Sequence, residues 1–395
     1  MFNDPNKLNQ LLCPLCGSNQ LEIFYSVEEV PSSCNRLWSN KQDAINCTKG
    51  SLKLAFCSTC TYVSNIAIEP SKNQYDNQYD NSLFYSPHFQ EFADSLLKKM
   101  ITHFDLYQKN IVEIGGGKVD FLSSMVSLGN NRALRFNPFQ QDKSKRYNSQ
   151  SFPFLDQGKQ IDFVFSYHEL EHMNNPRAFL DNLKLVLTNN SSVKLFFAVP
   201  NSIKDFTQGE YSDIIYEHVS YFTVQALLHL FSSSGFKILS VEETENEIFD
   251  SIYLYATIET KKSAELEPPA ISASEIKSIR DLVGEFGSKT NENINQVSTG
   301  LKKLLDEGKR IVAWGAGARG VTFLNVFRDS RITYVVDINP HKQNMYIPGT
   351  GQKIVAPDFL KNYKPDYIIL ANPSYQQEIA NMVANLGLNP SFIPI

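Results

Sequence analysis

Two glycine-rich turns, far apart in the chain, constrain the fold more than any other feature. The first lies at 113–117 (Glu-Ile-Gly-Gly-Gly) and the second at 315–320 (Gly-Ala-Gly-Ala-Arg-Gly). Each follows a short apolar run and precedes a stretch that can form a helix. In an α/β sheet this arrangement places backbone N–H groups and a helix N-terminus beside a ligand. The chain is therefore predicted to contain either two nucleotide-type sheets, or one working sheet and one that recruits substrate.

The pattern around these turns predicts the domain organisation of the 395-residue chain. Residues 1–75 bear cysteines and show no regular pattern, and strand–helix alternation begins at residue 111. A long polar helix is predicted over 273–307, before the second turn. We predict an α/β fold with a doubly wound Rossmann-like core, an N-terminal zinc-binding module and a second, smaller C-terminal Rossmann-like domain. The predicted domains are 1–75, 76–265 and 266–395.

Four cysteines of the predicted N-terminal module form two C-x-x-C pairs. They are Cys13, Cys16, Cys57 and Cys60. Two such pairs complete a tetrahedral zinc site, and four protein ligands leave no open position, so the ion would be structural. Six reduced, unligated thiols are the alternative. A redox role is disfavoured because neither pair opens a helix after a strand. Cys34 and Cys47, between the pairs, are predicted to be ordinary residues.

Charge and hydropathy exclude several classes of partner. The formal net charge of −5 provides no basic patch for nucleic acid. No apolar run reaches the roughly 20 residues that span a bilayer. The N-terminus is polar and lacks the apolar core of a signal peptide. We therefore expect a cytoplasmic protein that acts on a small molecule and contacts neither nucleic acid nor membrane.

Two clusters rich in His and Glu follow predicted strands of the core, at 166–172 and 211–221. The ends of such strands are where open α/β sheets place ligands and catalytic groups. Imidazole accepts a proton near neutral pH, and a neighbouring Glu can orient it and raise its basicity. Structural histidines that cap loops are the alternative. A metal held by His168, Glu171 and His172 is disfavoured, because only 168 and 172 share a helical face and no third ligand is obvious.

Taken together, these motifs resemble the class I S-adenosylmethionine-dependent methyltransferases of the sugar C-methyltransferase type. The resemblance covers nearly the whole chain, in the order zinc module, methyltransferase core and Rossmann-like C-terminal domain. It implies that S-adenosylmethionine binds over the first glycine-rich turn. The implied cofactor-binding residues are Glu113, Gly115, Gly117, Asn137 and His168. Asn137 stands where relatives carry an Asp or Glu that binds the ribose hydroxyls.

The resemblance also implies a mechanism. In that family a histidine of a Glu-His element removes the proton beside a keto group of a nucleotide-linked sugar, and the enolate carbon then attacks the methyl of S-adenosylmethionine. The implied catalytic residues here are His218, Glu217, Tyr216 and His172. The hydrogen bond to the enolate is assigned to Tyr216, His172 or Tyr221. Related sugar enzymes read Tyr-His-Glu-His where residues 215–218 of this chain read Ile-Tyr-Glu-His.

The second glycine-rich turn keeps an alternative function open. Read alone, it is a dinucleotide-binding fingerprint with Asp337 at the end of the next strand, which suggests an NAD-dependent oxidoreductase. Against this, an arginine occupies the turn and only half of a nucleotide-type fold is predicted to follow. In the resembling family this domain helps to hold the substrate, and the implied substrate-binding residues are Tyr221, Gly315, Gly317 and Arg319. An O- or N-methyltransferase of a sugar or small metabolite, and a scaffold whose cofactor site is lost at Asn137, are further alternatives.

Overall fold

The computed structural model describes residues 11–72, 75–76, 78–115, 121–136, 160–188, 192–245, 248–258 and 270–395. Within these ranges the chain forms three β-sheets flanked by helices. The strands are β1 Leu21–Pro31, β2 Lys49–Cys57, β3 Val63–Asn65, β4 Asn110–Ile114, β5 Arg132–Phe136, β6 Phe163–Tyr167, β7 Lys194–Pro200, β8 Ser220–Tyr221, β9 Phe236–Glu245, β10 Asp250–Ile258, β11 Ile311–Trp314, β12 Tyr334–Val336, β13 Lys353–Val355, β14 Tyr367–Leu370 and β15 Ser391–Pro394. The α-helices are α1 Lys41–Ile45, α2 Pro87–Phe104, α3 Phe121–Gly129, α4 Pro176–Leu187, α5 Ser202–Gln208, α6 Val224–Ser233, α7 Ala273–Asp306, α8 Ala318–Phe327, α9 Leu360–Tyr363 and α10 Gln376–Asn385.

The core is a six-stranded sheet of order β5-β4-β6-β7-β10-β9. Strands β5, β4, β6 and β7 are parallel, whereas β10 runs antiparallel to both β7 and β9. Helices cover both faces: Val164 of β6 packs with α4 and α6, while its neighbours Phe163 and Phe165 pack with α2 and α3. Strands covered on both sides are apolar at successive positions, as here. This is the doubly wound core predicted from the sequence, and its last two strands, β10 and β9, pair antiparallel with each other.

The N-terminal region forms a four-stranded antiparallel sheet of order β1-β2-β3-β8. The sequence predicted no strands in residues 1–75, and the structure corrects this. The edge strand β8 comes from the second His/Glu cluster, and it pairs with β3 through Val63 opposite Tyr221 and Ser64 opposite Ser220. Part of the predicted core is therefore built into the N-terminal sheet.

The long helix α7 connects the core to the C-terminal sheet and spans the predicted range. It begins at a capping box, in which the Ser272 side chain accepts from the backbone N–H of Glu275 and the Glu275 carboxylate accepts from that of Ser272. Its apolar side, with Val283 and Phe286, packs in a cluster with β1 and β2. Across the described ranges, no helix combines the length and the apolarity needed to cross a bilayer.

The C-terminal sheet has five strands, all parallel, in the order β13-β12-β11-β14-β15. The sequence analysis expected only half of a nucleotide-type fold after the second glycine-rich turn. The prediction missed β13, α10 and β15, and the structure shows a more complete fold. Both missed strands lie at sheet edges and have only three or four residues, so neither leaves a long apolar run in the sequence.

Candidate functional site

A cavity of about 310 Å³ lies between the core sheet and the C-terminal sheet. Its wall includes predicted residues from both glycine-rich turns and both His/Glu clusters. These are Glu113, His168, His172, His218, Gly315, Gly317 and Arg319. Chain segments that are distant in sequence therefore converge on one site, at the carboxyl ends of β4 and β6, as expected for an open α/β sheet. The predicted cofactor residues Gly117 and Asn137 lie outside the described residues.

Gly115, directly after β4, occupies a position that only glycine fits well. Its φ of +82° lies in the left-handed region, and a Cβ built there would come within 2.0 Å of the Glu169 carboxyl carbon. Its N–H donates to the Phe136 carbonyl at 2.8 Å, which ties the turn to β5. Because Gly115 has no side chain, Glu169, which lines the cavity, packs directly against its backbone.

Glu113 was predicted to bind the cofactor. In the structure it is almost completely buried, and its Oε2 accepts from Arg135 Nε at 2.7 Å. A buried carboxylate requires such a partner, because desolvation of an unpaired charge is costly. Glu113 reaches the cavity wall, but its charge is already compensated by Arg135 of the neighbouring strand.

His168 follows β6 with a positive φ of 50°, which is uncommon for a residue with a side chain. Its ring stacks on Tyr167 with centroids 4.3 Å apart, and its Nε2 lies 3.1 Å from Ser251 Oγ. Desolvation lowers the pKa of His168 to about 3, so the ring is neutral at physiological pH. The structure thus places His168 as a fixed, uncharged part of the cavity wall.

His172 and His218 come together from the two His/Glu clusters, with ring centroids 4.9 Å apart. His172 Nδ1 lies 3.0 Å from the Glu217 carbonyl oxygen and 3.1 Å from the Tyr75 hydroxyl. Because a carbonyl only accepts, we assign the proton to Nδ1 and a lone pair to Nε2. Desolvation lowers the pKa of His172 well below its usual range and that of His218 to about 4. Both imidazoles are therefore neutral and able to accept a proton.

The neighbours of His218 do not line the cavity. Tyr216 packs against Gly50, and its hydroxyl accepts from the Glu69 N–H at 2.8 Å. Glu217 Oε1 accepts from the Cys34 N–H at 2.8 Å, and the Tyr221 hydroxyl donates to the Ile215 carbonyl at 3.2 Å. The pairing of β8 with β3 turns these side chains towards the N-terminal sheet. The structure thus places the predicted catalytic pair Tyr216 and Glu217, and the predicted substrate residue Tyr221, behind the site, where they hold the loop.

Three further residues beside the imidazoles were not among the predicted binding or catalytic residues. Glu171, 1% exposed, lines the cavity, and desolvation raises the pKa of its carboxyl well above its usual range. Asp213 also lines the cavity, and Tyr75 contacts His172. Glu171 and Asp213 lie in the two clusters that the sequence analysis singled out, at 166–172 and 211–221, whereas nothing local in the sequence marks Tyr75.

A group of three side chains in this wall can also hold a metal. Glu171, His172 and His218 each bring a ligand atom within 4.8 Å of the others. Two imidazoles and one carboxylate form a recognised ligand set for divalent transition metals. The sequence-based triplet contained His168 in place of His218, and the structure instead directs His168 Nε2 to Ser251.

The second glycine-rich turn is closed tightly on itself. A Cβ at Gly320 would lie 2.0 Å from the Gly315 carbonyl oxygen. The Asp337 carboxylate accepts from the N–H groups of Ala316 and Asn339, each at 2.8 Å. In dinucleotide-binding folds an acid at this position binds a ribose hydroxyl. Here both carboxylate oxygens are engaged within the domain, which disfavours the NAD alternative.

The four predicted zinc ligands lie together. Cys13 Sγ is 3.7 Å from Cys60 Sγ, and Cys16 Sγ is 3.6 Å from Cys57 Sγ, while all four sulfurs lie within 4.8 Å of one another. A tetrahedral ion with Zn–S bonds of about 2.3 Å separates its sulfurs by about 3.8 Å. The cluster therefore fits a structural zinc ion at the base of the N-terminal sheet.

Comparisons with known proteins cover the core and the C-terminal sheet. A family model described as a methyltransferase domain matches residues 85–241, and one described as a C-methyltransferase C-terminal domain matches 260–389. The C-methyltransferase NovU from Streptomyces niveus is 26% identical over 192 residues, which are 47% of this chain and 46% of that protein. The match thus spans about half of the length of that relative.

Similar solved structures include two methyltransferases. One is an S-adenosylmethionine-dependent methyltransferase from Aquifex aeolicus, with 15% identity, a TM-score of 0.31, and coverage of 44% of this chain and 95% of that chain. The other is a putative S-adenosylmethionine-dependent methyltransferase from Listeria monocytogenes, with 16% identity, a TM-score of 0.30, and coverage of 43% and 99%.

Proposed function

Because the chain carries a methyltransferase domain followed by the C-terminal domain of C-methyltransferases, we propose that it transfers the methyl group of S-adenosylmethionine to a carbon of a nucleotide-linked keto-sugar. The observation that best supports this proposal is the shared cavity. The cavity is lined by Glu113 and His168 of the cofactor prediction and by Gly315 and Gly317 of the substrate prediction. The neutral imidazoles of His172 and His218 line the same cavity.

S-adenosylmethionine, when bound, supplies a methyl group on a positively charged sulfur. The residues that would hold it are those of the first turn, with Glu113 and His168 in the wall and Glu169 covering Gly115. Gly117 and Asn137 complete the sequence-based set. The chain's own contribution to methyl transfer is alignment of the acceptor carbon with the methyl group, since this displacement needs little other assistance.

His218 is the proposed base. Its low pKa of about 4 leaves the ring unprotonated at neutral pH, so its lone pair can take the proton beside the keto group. The electron pair of the broken C–H bond then forms the enolate. The enolate carbon forms the new C–C bond as the S–C bond breaks, and the imidazolium later loses its proton to solvent.

Glu171 is the proposed donor to the enolate oxygen. The hydroxyls of Tyr216 and Tyr221 are directed away from the cavity, and His172 Nδ1–H points to the Glu217 carbonyl. Glu171 lines the cavity beside both imidazoles, and desolvation raises the pKa of its carboxyl well above its usual range, which favours the protonated form. A protonated acid in such a place donates a hydrogen bond to a developing oxyanion.

Deuterium exchange separates proton abstraction from methyl transfer. With S-adenosylhomocysteine bound and keto-sugars supplied in D₂O, the wild-type chain is expected to exchange the α-proton, as read by mass spectrometry. His218→Ala should lose this exchange by about 10²- to 10⁴-fold while binding S-adenosylhomocysteine normally in calorimetry. His103→Ala, an exposed histidine at the end of α2, is the matched control.

Two results would reject the proposal. No heat on mixing with millimolar S-adenosylhomocysteine would exclude the cofactor. Normal turnover by the His218 variant would exclude the base. A product that NMR shows to be methylated on oxygen or nitrogen would instead identify the protein as an O- or N-methyltransferase.

A further inference from the structure

The carboxyl group of Glu171 has no partner among the described residues. The side chain is 1% exposed and lines the cavity, yet neither Oε1 nor Oε2 has a hydrogen-bond partner in the described part of the chain. Two cations of the same cavity wall are engaged elsewhere: Arg319 Nε donates to Asp213 at 3.0 Å, and Lys342 Nζ donates to the Ala316 carbonyl at 3.0 Å. A buried carboxyl group with two unpaired oxygens is costly and calls for an explanation, such as a bound ion.

Two imidazoles beside this carboxyl group complete a set of metal ligands. One ligand atom from each of Glu171, His172 and His218 lies within 4.8 Å of the others. A tetrahedral ion with bonds of about 2.0–2.1 Å would hold such atoms about 3.3 Å apart, so each separation would close by at most about 1.5 Å. Two imidazole nitrogens and one carboxylate oxygen suit Zn²⁺, Co²⁺ and other first-row divalent ions.

Backbone groups fix the two segments that carry these side chains. Glu171 and His172 lie in a 3₁₀ turn after β6, and His218 directly precedes Val219 in the loop before β8. The Val219 N–H donates to the Glu171 carbonyl at 2.9 Å, and His172 Nδ1 lies 3.0 Å from the Glu217 carbonyl oxygen. Two hydrogen bonds, one in each direction, therefore hold the three ligands together before an ion binds.

The contact of His172 Nδ1 is one that metal-bound histidines make. A ligating imidazole almost always donates its other N–H to a carbonyl, a carboxylate or water, which fixes the orientation and tautomer of the ring. With its proton on Nδ1, His172 presents Nε2 as the ligand atom. His168 is not part of this cluster, and its Nε2 lies 3.1 Å from Ser251 Oγ.

We propose that Glu171, His172 and His218 bind a divalent first-row transition-metal ion, and that the bound ion inhibits proton abstraction. The metal site follows from the geometry alone, whereas the inhibition rests on the proposed function, in which His218 is the base. The ion would take the lone pair with which His218 accepts the proton. Glu171 would bind the ion as an anion, with its own proton released to solvent, and would no longer donate to the enolate oxygen.

Titration with Co²⁺ alone tests the site without cofactor or substrate. The protein is used with zinc in its cysteine cluster, since such sites bind zinc more tightly than cobalt. The wild-type chain is expected to bind about one Co²⁺, with visible absorption but without the sulfur charge-transfer band of a cysteine-bound ion. Glu171→Gln and His172→Asn should each weaken this binding by more than about 100-fold, because loss of an outer-shell partner already costs about 10- to 100-fold.

The matched controls come from the same sequence motif. His168→Asn and Glu169→Gln replace an imidazole and a carboxyl group that line the same cavity but lie outside the cluster, so Co²⁺ binding should be unchanged. Inhibition is read separately, by deuterium exchange with S-adenosylhomocysteine bound. Saturating Co²⁺ should lower the exchange rate by about 10²- to 10⁴-fold, as His218→Ala does, and removal of the Co²⁺ by dialysis should restore it.

Three results would overturn the metal site: no Co²⁺ binding beyond the cysteine cluster, binding that Glu171→Gln leaves unchanged, or binding that is lost in either control. If the variants do not fold, anomalous diffraction from wild-type crystals soaked in Co²⁺ decides, because an ion found away from the three side chains refutes the site. Co²⁺ binding without an effect on exchange would overturn the inhibition. If the wild-type chain exchanges no proton at all, the proposed function and the inhibition both fail, while the titration still decides the metal site.

Discussion

Gly115→Ala provides a quantitative test of the first glycine-rich turn. The residue has a φ of +82°, and an alanine Cβ would meet Glu169 Cδ at 2.0 Å and Cγ at 2.1 Å. The left-handed backbone costs about 1–2 kcal/mol for a residue with a Cβ. Displacing the buried Glu169 side chain adds about 1–3 kcal/mol. The variant should therefore unfold in urea with a loss of about 2–5 kcal/mol and bind S-adenosylhomocysteine more weakly in calorimetry.

A cycle with Glu169→Ala separates the two contributions. In that background the steric part disappears, so Gly115→Ala should cost only the backbone part of about 1–2 kcal/mol. Gly317→Ala in the second turn is the matched control, because Gly317 has a φ of −91° and no atom lies within 4 Å of its built Cβ. It should change the free energy of unfolding by less than about 1 kcal/mol. Equal stability of Gly115→Ala and the wild type would refute the reasoning.

Two further predictions concern the support of the His218 loop. Desolvation raises the pKa of Glu217 to about 7, so its contribution to stability is complete below about pH 4.5 and is lost as the pH rises through about 7. The free energy of unfolding of Glu217→Gln, measured in urea relative to the wild type, should therefore rise by up to about 3 kcal/mol from about pH 4 to about pH 8. A difference between variant and wild type that does not change with pH would contradict this. Metal analysis should find about one zinc ion per chain. Removal of the zinc by a chelator should expose the backbone amides of β3 and β8 to hydrogen exchange, while those of β11 and β14 stay protected. Unchanged protection of β8 would show that the cysteine cluster does not support the His218 loop.

The sequence was a good guide where structure is local. The apolar runs of β4 and β6, the proline at the start of α4 and the glycines of both turns each predict their element through contacts between residues close in the chain. The same patterns placed His172 and His218 at one edge of the core sheet, and the cavity brings them together. The family resemblance added the domain order, which the family models bear out for the core and the C-terminal domain.

Contacts between distant segments were not predictable from local patterns. Arg319 and Asp213 are 106 positions apart, and Tyr75 and His172 are 97 apart. The orientation of Tyr216 and Glu217 depends on β8, a two-residue strand whose partner lies in the N-terminal region. A strand this short has no periodicity to recognise, and the face on which its neighbours lie follows from the pairing register alone. This is why the sequence singled out the loop of His218 but assigned site roles to three side chains, Tyr216, Glu217 and Tyr221, that do not line the cavity.

The loop that carries His218 is held by all three sheets. The N-terminal sheet holds it through β3 and through the Cys34–Glu217 hydrogen bond, and the core holds it where the Val219 N–H donates to the Glu171 carbonyl at 2.9 Å. The C-terminal sheet reaches it through Arg319 and Asp213. A fragment limited to the predicted core, 76–265, would keep the first glycine-rich turn but lose two of these three supports. Such a fragment should therefore keep cofactor binding, which depends on one sheet, and lose proton abstraction, which depends on the assembly of all three sheets.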